Sequence, residues 1–101
     1  MMAAGPATPP GLLLVDDEAG IRTVLGISLT EMGYAVRTAP DGEAALDLIS
    51  DSVPQILITD IKMPGMDGIA LLKRVKAQWP DIEVLMLTGH GDIDLAIRSL
   101  K

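Results

Sequence analysis

Four side chains with oxygen donors stand where short apolar runs of this sequence end. Asp16 and Asp17 follow one run, Asp60 closes a second, and Thr88 follows a third. Short apolar runs bounded by turn signals are typical of strands that are buried on both faces. When such strands are parallel, their carboxyl ends lie at one edge of the sheet, where ligands bind. The spacing therefore predicts that the three acids and the hydroxyl converge on one site.

Three carboxylates at one sheet edge repel one another and raise one another's pKa unless a cation joins them. The candidate donors are all oxygens, and the sequence has no cysteine and a single histidine. Such a donor set favours a hard ion, Mg²⁺, over zinc. Mg²⁺ keeps water in several of its coordination positions, and phosphoryl oxygens can replace that water. The site therefore suggests phosphoryl transfer.

Asp60 is the candidate nucleophile of that reaction, because a carboxylate can form an aspartyl phosphate. It ends the strand that is expected to lie centrally in the sheet. The segment Met63–Gly68 that follows is a loop punctuated by glycine, in which backbone amides can approach an anion. Thr88, followed by Gly89, can donate a hydrogen bond to a phosphoryl oxygen, and its movement would then report phosphorylation.

Four strand–helix units position these residues. Strands are predicted over residues 12–16, 35–39, 55–60 and 82–87, and helices over about 18–32, 41–49, 67–79 and 92–100. Two helices carry apolar residues at helical spacing: Ile21, Val24, Leu25 and Met32 in the first, and Ile69, Leu72 and Val75 in the third. Asp41 and Asp67 are expected to cap helices and to take no part in chemistry. The alternation of strands and helices predicts an α/β fold with a doubly wound parallel sheet.

The composition argues against several other classes of protein. The formal charge of −6 repels the phosphate backbone, so direct binding of nucleic acid is not expected. No apolar run approaches the roughly 20 residues of a membrane-spanning helix. The lack of cysteine is compatible with a cytoplasmic location. Residues 1–11 contain three prolines and no basic residue, and they are predicted to form a flexible arm before a domain over 12–101.

The segments around the acids resemble the receiver domains of bacterial two-component response regulators. Three segments carry the resemblance in the family's order: Leu13–Glu18 with an acidic pair, Thr59–Gly68 with a phosphoacceptor, and Leu87–Gly89 with a switch hydroxyl. The resemblance runs from about Leu12 to the last residue, and the stretch Thr88–Asp92 also looks like receivers attached to ATPase-type transcriptional activators. It implies the flavodoxin-like receiver fold with strand order 2-1-3-4-5.

The resemblance also implies a role for each site residue. Asp60 would be the phosphoacceptor. Mg²⁺ would be bound directly by Asp17, Asp60 and the backbone carbonyl of Lys62, with Asp16 acting largely through a bound water. A sensor histidine kinase would supply the phosphoryl group, and Thr88 with the fourth helix would change conformation. Such a domain would catalyse its own phosphorylation and dephosphorylation without turning over a separate substrate.

The sequence departs from the family at its end. Receivers continue into a fifth strand with a Lys-Pro pair, whose lysine binds the phosphoryl group, and into a fifth helix. Both are missing from these residues, which leaves the order 2-1-3-4. Lys101 would lie roughly 15 Å from the strand tips at the end of a helix, so it is not expected to replace that lysine. An uncovered fourth strand would favour a homodimer or a domain-swapped dimer through the fourth strand and the fourth helix.

Two alternative functions stay open on the sequence. A truncated module that works by dimerisation or by sequestering a kinase, without signalling through phosphate, fits the missing lysine. A magnesium-dependent phosphatase fits less well, because Asp60-Ile61-Lys62 has no second acid two residues on to serve as general acid. The sequence also has no Walker-type loop and no G-x-G-x-x-G fingerprint, which argues against nucleotide hydrolysis. His90 is expected to be a solvent-facing loop residue.

Overall fold

The computed structural model describes residues 8–87 of the chain. Its elements in chain order are β1 (Gly11–Val15), α1 (Ala19–Glu31), β2 (Ala35–Ala39), α2 (Gly42–Asp51), β3 (Ile56–Asp60), α3 (Gly68–Gln78) and β4 (Glu83–Leu87). The four strands and the first three helices of the sequence prediction are therefore confirmed, with bounds that shift by one or two residues. The predicted fourth helix over about 92–100, together with Thr88, His90 and Lys101, lies outside the described residues.

The four strands form one parallel sheet in the order β2-β1-β3-β4. This is the order expected for the doubly wound receiver fold, and β1 and β3 lie in the middle of the described sheet. The register aligns Val15 at the end of β1 with Ala39 of β2 and Thr59 of β3. Asp60 in turn aligns with Leu87 of β4. The strand ends therefore lie level with one another, which brings the residues that follow them to one edge.

Alternate residues of the strands face two separate apolar layers, as the two-residue period of a strand requires. Leu13, Val15 and Leu57 pack with buried residues of α2 and α3 on one face. Leu12 and Leu14 pack with Leu25 and Leu29 of α1 on the other face. Because both faces of β1 are covered, its central residues are fully buried and its sequence is an unbroken apolar run.

The ends of the helices follow the local sequence signals. Asp41 and Asp67 each accept a hydrogen bond at 2.8 Å from the backbone N–H three residues on, so the predicted caps of α2 and α3 are confirmed. Gly33 adopts a φ of 104° just after α1, a conformation that favours glycine. The Arg37 guanidinium of β2 donates to the carbonyl oxygens of Leu48 and Ser52 at the end of α2. The Leu48 carbonyl also accepts the Ser52 N–H at 3.0 Å, so Arg37 adds to the hydrogen bonding of that helix end and stabilises it.

Two apolar residues that fit the helical spacing do not belong to the core. Val24 of α1 is 63% exposed and Ile69 of α3 is 46% exposed. Reading either of them as a core residue from its spacing is therefore wrong, and the core-facing stripe of α1 consists of Leu25 and Leu29. The reason is geometric, since Val24 lies about 100° around the helix from Leu25 and the sheet covers only one side of α1.

Candidate functional site

Three aspartates meet at the carboxyl edge of the sheet. One carboxylate oxygen from each of Asp16, Asp17 and Asp60 lies within 4.8 Å of the others. The strand register explains this convergence. Val15 of β1 aligns with Thr59 of β3, so the residues that come next, Asp16 and Asp60, lie side by side. The sequence prediction that these three acids share one place is confirmed by this geometry.

The three carboxylates have different surroundings. Asp16 is only 1% exposed, Asp60 is partly buried and Asp17 is exposed. The Asp16 carboxylate accepts a hydrogen bond of 2.9 Å from the backbone N–H of Glu18. The backbone N–H of Asp16 donates to the carbonyl of Ala39 at 3.2 Å. Asp16 is therefore held firmly at the base of the site, whereas Asp17 lies at its open rim.

Burial raises the pKa of Asp16 above the ordinary aspartate value. The hydrogen bond from the Glu18 amide lowers the pKa and partly offsets this effect, while the negative charges of Asp60 and then Asp17 raise it further. The ionised form of Asp16 is thus disfavoured in the folded protein when no cation is bound. A cation held between the three carboxylates would remove that cost.

We predict that Asp16→Asn stabilises the fold by about 0.5–1 kcal/mol at pH 7 in the presence of a chelator, allowing for screening by solvent at the open side of the site. An asparagine keeps an oxygen for the Glu18 amide and removes one charge. Because the pKa of Asp16 is higher in the folded protein than in the unfolded chain, protonation of Asp16 stabilises the fold. This stabilisation is complete below the unfolded pKa and is lost as pH rises through the folded pKa. The advantage of the variant should therefore shrink on acidification. Urea unfolding at pH 7 and near pH 3.8, the ordinary aspartate value, measures this difference, and a variant that is less stable than the wild type at pH 7 would contradict it.

The loop after Asp60 is closed on itself. The backbone N–H of Gly68 donates to the carbonyl of Ile61 at 2.8 Å, and Gly65 adopts a φ of 75° that favours glycine. Lys62 is exposed in this loop, and it lines an open cavity of about 530 Å³ with Ile61, Met63, Pro64 and Asp67. The loop is thus a defined turn beside Asp60, as its glycine pattern indicates.

Three features of the site were not predicted from the sequence. A Cβ on Gly68 would lie 2.1 Å from the backbone oxygen of Asp60, so only glycine fits there. Thr59, fully buried, donates its hydroxyl to that same oxygen at 3.0 Å. The Arg22 guanidinium of α1 donates to the backbone carbonyl of Asp16 at 2.7 Å. The Gly68 and Arg22 contacts join different parts of the fold, whereas the Thr59 hydrogen bond lies within β3. The sequence signals for the three were a glycine, a basic residue one turn into a helix and a polar strand residue.

The remaining predicted site residue, Thr88, lies outside the described residues. Leu87 immediately before it aligns with Asp60 in the register of β3 and β4. The donor set itself fits a hard divalent cation, because three carboxylates in mutual reach offer oxygen ligands only. Receiver domains generally bind Mg²⁺ at an acidic pocket of this kind.

An open parallel sheet with helices on both faces and acids at its carboxyl edge defines the doubly wound α/β class, with a ligand site at that edge. Within this class the chain belongs to the response regulator receiver domain family, whose family model matches residues 12–101. This matches the family named from the sequence resemblance.

Individual relatives agree with the family. The DNA-binding transcriptional regulator NtrC of Klebsiella pneumoniae is 43% identical over 88 residues, which is 87% of this chain and 19% of that protein. Sporulation initiation phosphotransferase F of Bacillus subtilis is 39% identical over 87% of this chain and 71% of its own length. The crystal structure of the receiver domain of NtrX from Brucella abortus superposes with a TM-score of 0.74 at 41% identity, covering 86% of this chain and 77% of that one.

Several of these relatives are much longer than the present sequence. The chain spans 19% of NtrC and 44% of the transcriptional regulatory protein FixJ of Bradyrhizobium diazoefficiens. Over residues 8–87, no helix has the length and apolar character needed to cross a membrane. Receiver-domain relatives support a phosphorylation-dependent signalling role for the chain.

Proposed function

We propose that the chain is a phosphorylation-dependent switch of a two-component system, with Asp60 as the phosphoacceptor and Mg²⁺ as its cofactor. The observation that carries the proposal is the meeting of the Asp16, Asp17 and Asp60 carboxylates within 4.8 Å at the carboxyl edge of the sheet. Family membership supports the same reading. We divide the chain into an arm over residues 1–11 and a receiver domain over 12–101, because the family model begins at residue 12. Gly11, the last residue of that arm, already pairs in the sheet as the first residue of β1.

In the proposed reaction, a carboxylate oxygen of Asp60 attacks the phosphorus of a phosphohistidine on a sensor histidine kinase. The new O–P bond forms as the P–N bond breaks, and the departing imidazole nitrogen keeps the electron pair and takes a proton from water. Asp60 suits this role because it is partly buried at the end of a central strand, with the closed loop 61–68 beside it. The same carboxyl phosphate is later hydrolysed by water, which returns Asp60 to its carboxylate form.

When bound, Mg²⁺ would neutralise negative charge on the phosphoryl group during its transfer. Asp17, Asp60 and the Lys62 carbonyl are the proposed direct ligands, and Asp16 is proposed to act through a water. The exposure of Asp17 and the burial of Asp16 suit this division. Thr88 is proposed to donate its hydroxyl to a phosphoryl oxygen, so that its movement and that of the fourth helix transmit the signal.

The proposal places the switch in the cytoplasm, with a histidine kinase as its partner. Direct contact with nucleic acid is not part of the proposal, because the sequence carries a net charge of −6. DNA binding appears in the name of the longer relative NtrC and is a property of that protein.

Labelling by a small phosphodonor tests the proposal directly. Acetyl phosphate with Mg²⁺ should add one phosphoryl group to the intact protein, seen by mass spectrometry. A chelator should prevent the labelling, and hydroxylamine should remove the group, because an acyl phosphate is cleaved by that nucleophile. Labelling that resists hydroxylamine or ignores the chelator would contradict an Mg²⁺-dependent aspartyl phosphate.

A second candidate function is association through β4, as a dimerisation or kinase-sequestering module that does not signal through phosphate. It is favoured by one observation: within the described part of the chain, β4 pairs with β3 alone, and its residues Val84, Leu85 and Met86 are only partly buried. An unpaired strand edge can pair with another copy. Sedimentation equilibrium should then show a dimer, and a monomer at high protein concentration would exclude the dimerisation form of this candidate.

A further inference from the structure

We propose that Arg22 is a positioning residue of the acidic site, acting through the peptide bond that joins Asp16 to Asp17. This inference rests on the proposed function, because it concerns how the chain prepares its carboxylates for Mg²⁺. Arg22 donates to a backbone carbonyl of the site, that of Asp16. It fixes the backbone between the two acids of the β1–α1 loop, and so it sets the direction in which the exposed Asp17 side chain leaves that loop.

The geometry around Asp16 supports this role. One guanidinium nitrogen of Arg22 donates to the Asp16 carbonyl oxygen at 2.7 Å. The other side of Asp16 is held by its own N–H to Ala39 and by the Glu18 N–H on its carboxylate. The carbonyl held by Arg22 belongs to the peptide unit of Asp16 and Asp17. With that peptide unit held, rotation about the backbone before Asp17 is restricted.

The position of Arg22 on α1 explains how it reaches the loop. Its own N–H donates to the Glu18 carbonyl at 3.1 Å, so the residue belongs to the first full turn of α1. Its side chain lines a groove of about 530 Å³ between α1 and β2, together with Gly26 and Thr38. From that groove the side chain crosses to the carboxyl end of β1. A charge-assisted hydrogen bond to a carbonyl is stronger than a neutral one, which makes arginine suited to hold the loop.

A purely electrostatic role for Arg22 predicts the opposite result. A fixed positive charge near the acidic site repels Mg²⁺, so its removal should tighten binding of the metal. Positioning predicts that its removal weakens binding, because ligands lose their orientation. Loss of residues that orient metal ligands typically weakens metal affinity by about 10–100-fold. The direction of the change therefore separates the two explanations.

The experiment is a calorimetric Mg²⁺ titration of the whole chain, with Arg22→Met, Arg22→Gln and Arg22→Lys. We expect the Met and Gln variants to bind Mg²⁺ about 10-fold more weakly. The Lys variant should recover most of the affinity, because an ammonium can still donate to the Asp16 carbonyl. Arg37→Met is the matched control. It also loses hydrogen bonds from a guanidinium to backbone carbonyls, but at the far end of α2, so it should lose stability and keep its Mg²⁺ affinity.

Each result has a distinct meaning. Mg²⁺ affinity that is unchanged or tighter in Arg22→Met and Arg22→Gln overturns the positioning role while leaving the proposed function in place. An equal loss of affinity in Arg37→Met also overturns it, since the effect would then be one of general stability. A wild-type chain that binds no Mg²⁺ overturns the proposed function itself. Thermal unfolding in chelator shows which variants are folded, and if Arg22→Met does not fold, Arg22→Gln decides.

Discussion

Asp60→Asn is expected to lower phosphoryl labelling by a small phosphodonor at least about 100-fold, equivalent to roughly 2.7 kcal/mol in the activation free energy. The amide has no anionic oxygen to attack phosphorus, so the aspartyl phosphate cannot form. Asp16 and Asp17 remain in the variant, but they follow β1, and neither lies at the end of β3 beside the closed loop at residues 61–68. They are therefore not expected to replace Asp60 as the nucleophile.

The same substitution should leave the fold intact, which separates lost chemistry from lost structure. Removing one of three neighbouring charges relieves repulsion, so thermal unfolding in chelator should occur at the wild-type temperature or above it. Asp81→Asn is the matched control, because Asp81 is exposed at the opposite end of the sheet, just before β4. Intact-protein mass spectrometry should show full labelling of that control. Wild-type labelling of Asp60→Asn would mean that another residue is the phosphoacceptor.

The acidic site was predictable because each of its residues is marked by a signal in the sequence immediately around it. Asp16 and Asp60 each follow a buried apolar run, and parallel strands of equal length end at the same edge. The caps at Asp41 and Asp67 were predictable for the same reason, since a cap bonds a backbone N–H only three residues away. Local sequence signals, together with the rule that parallel strands end at one edge of the sheet, were enough to predict that the three carboxylates lie together.

Other properties of the site depend on distances between elements that spacing does not encode. The neighbouring acids Asp16 and Asp17 look equivalent in sequence, yet one is 1% exposed and the other is exposed. The difference arises because Asp16 continues the buried strand while Asp17 begins the loop. The hydrogen bond of Arg22 to the Asp16 carbonyl spans six residues and requires the crossing of α1 over β1. Helical periodicity did not predict the exposure of Val24 for a similar reason, because it does not specify how much of the surface of α1 the sheet covers.

Gly68→Ala is expected to be the most destabilising small substitution in the described part of the chain, by about 2–4 kcal/mol. The added Cβ would lie 2.1 Å from the Asp60 carbonyl oxygen and 2.9 Å from the Ile61 Cα. Both are backbone atoms, so no side chain can rotate away. Either α3 moves outward, which breaks the 2.8 Å hydrogen bond from the Gly68 N–H to Ile61, or the end of β3 moves. The first movement opens the loop beside Asp60 and the second displaces Asp60 itself, so phosphoryl labelling should fall together with stability.

Two other glycines serve as comparisons for Gly68, because substitution by alanine should change stability differently at each. A Cβ on Gly20 of α1 would meet nothing within 4 Å, so Gly20→Ala should stabilise the fold by about 0.4–1 kcal/mol through lower backbone entropy in the unfolded chain. A Cβ on Gly42 would lie 2.8 Å from the Met66 sulfur and 3.1 and 3.2 Å from its Cγ and Cβ, which are all side-chain atoms, so a shift of the flexible Met66 side chain can relieve part of the contact. Urea unfolding should therefore rank the alanine variants in the order Gly20, Gly42, Gly68 from most to least stable. If Gly68→Ala is as stable as the Gly42 variant, the backbone of α3 is not held against the end of β3, and the rigid support inferred for Asp60 is absent.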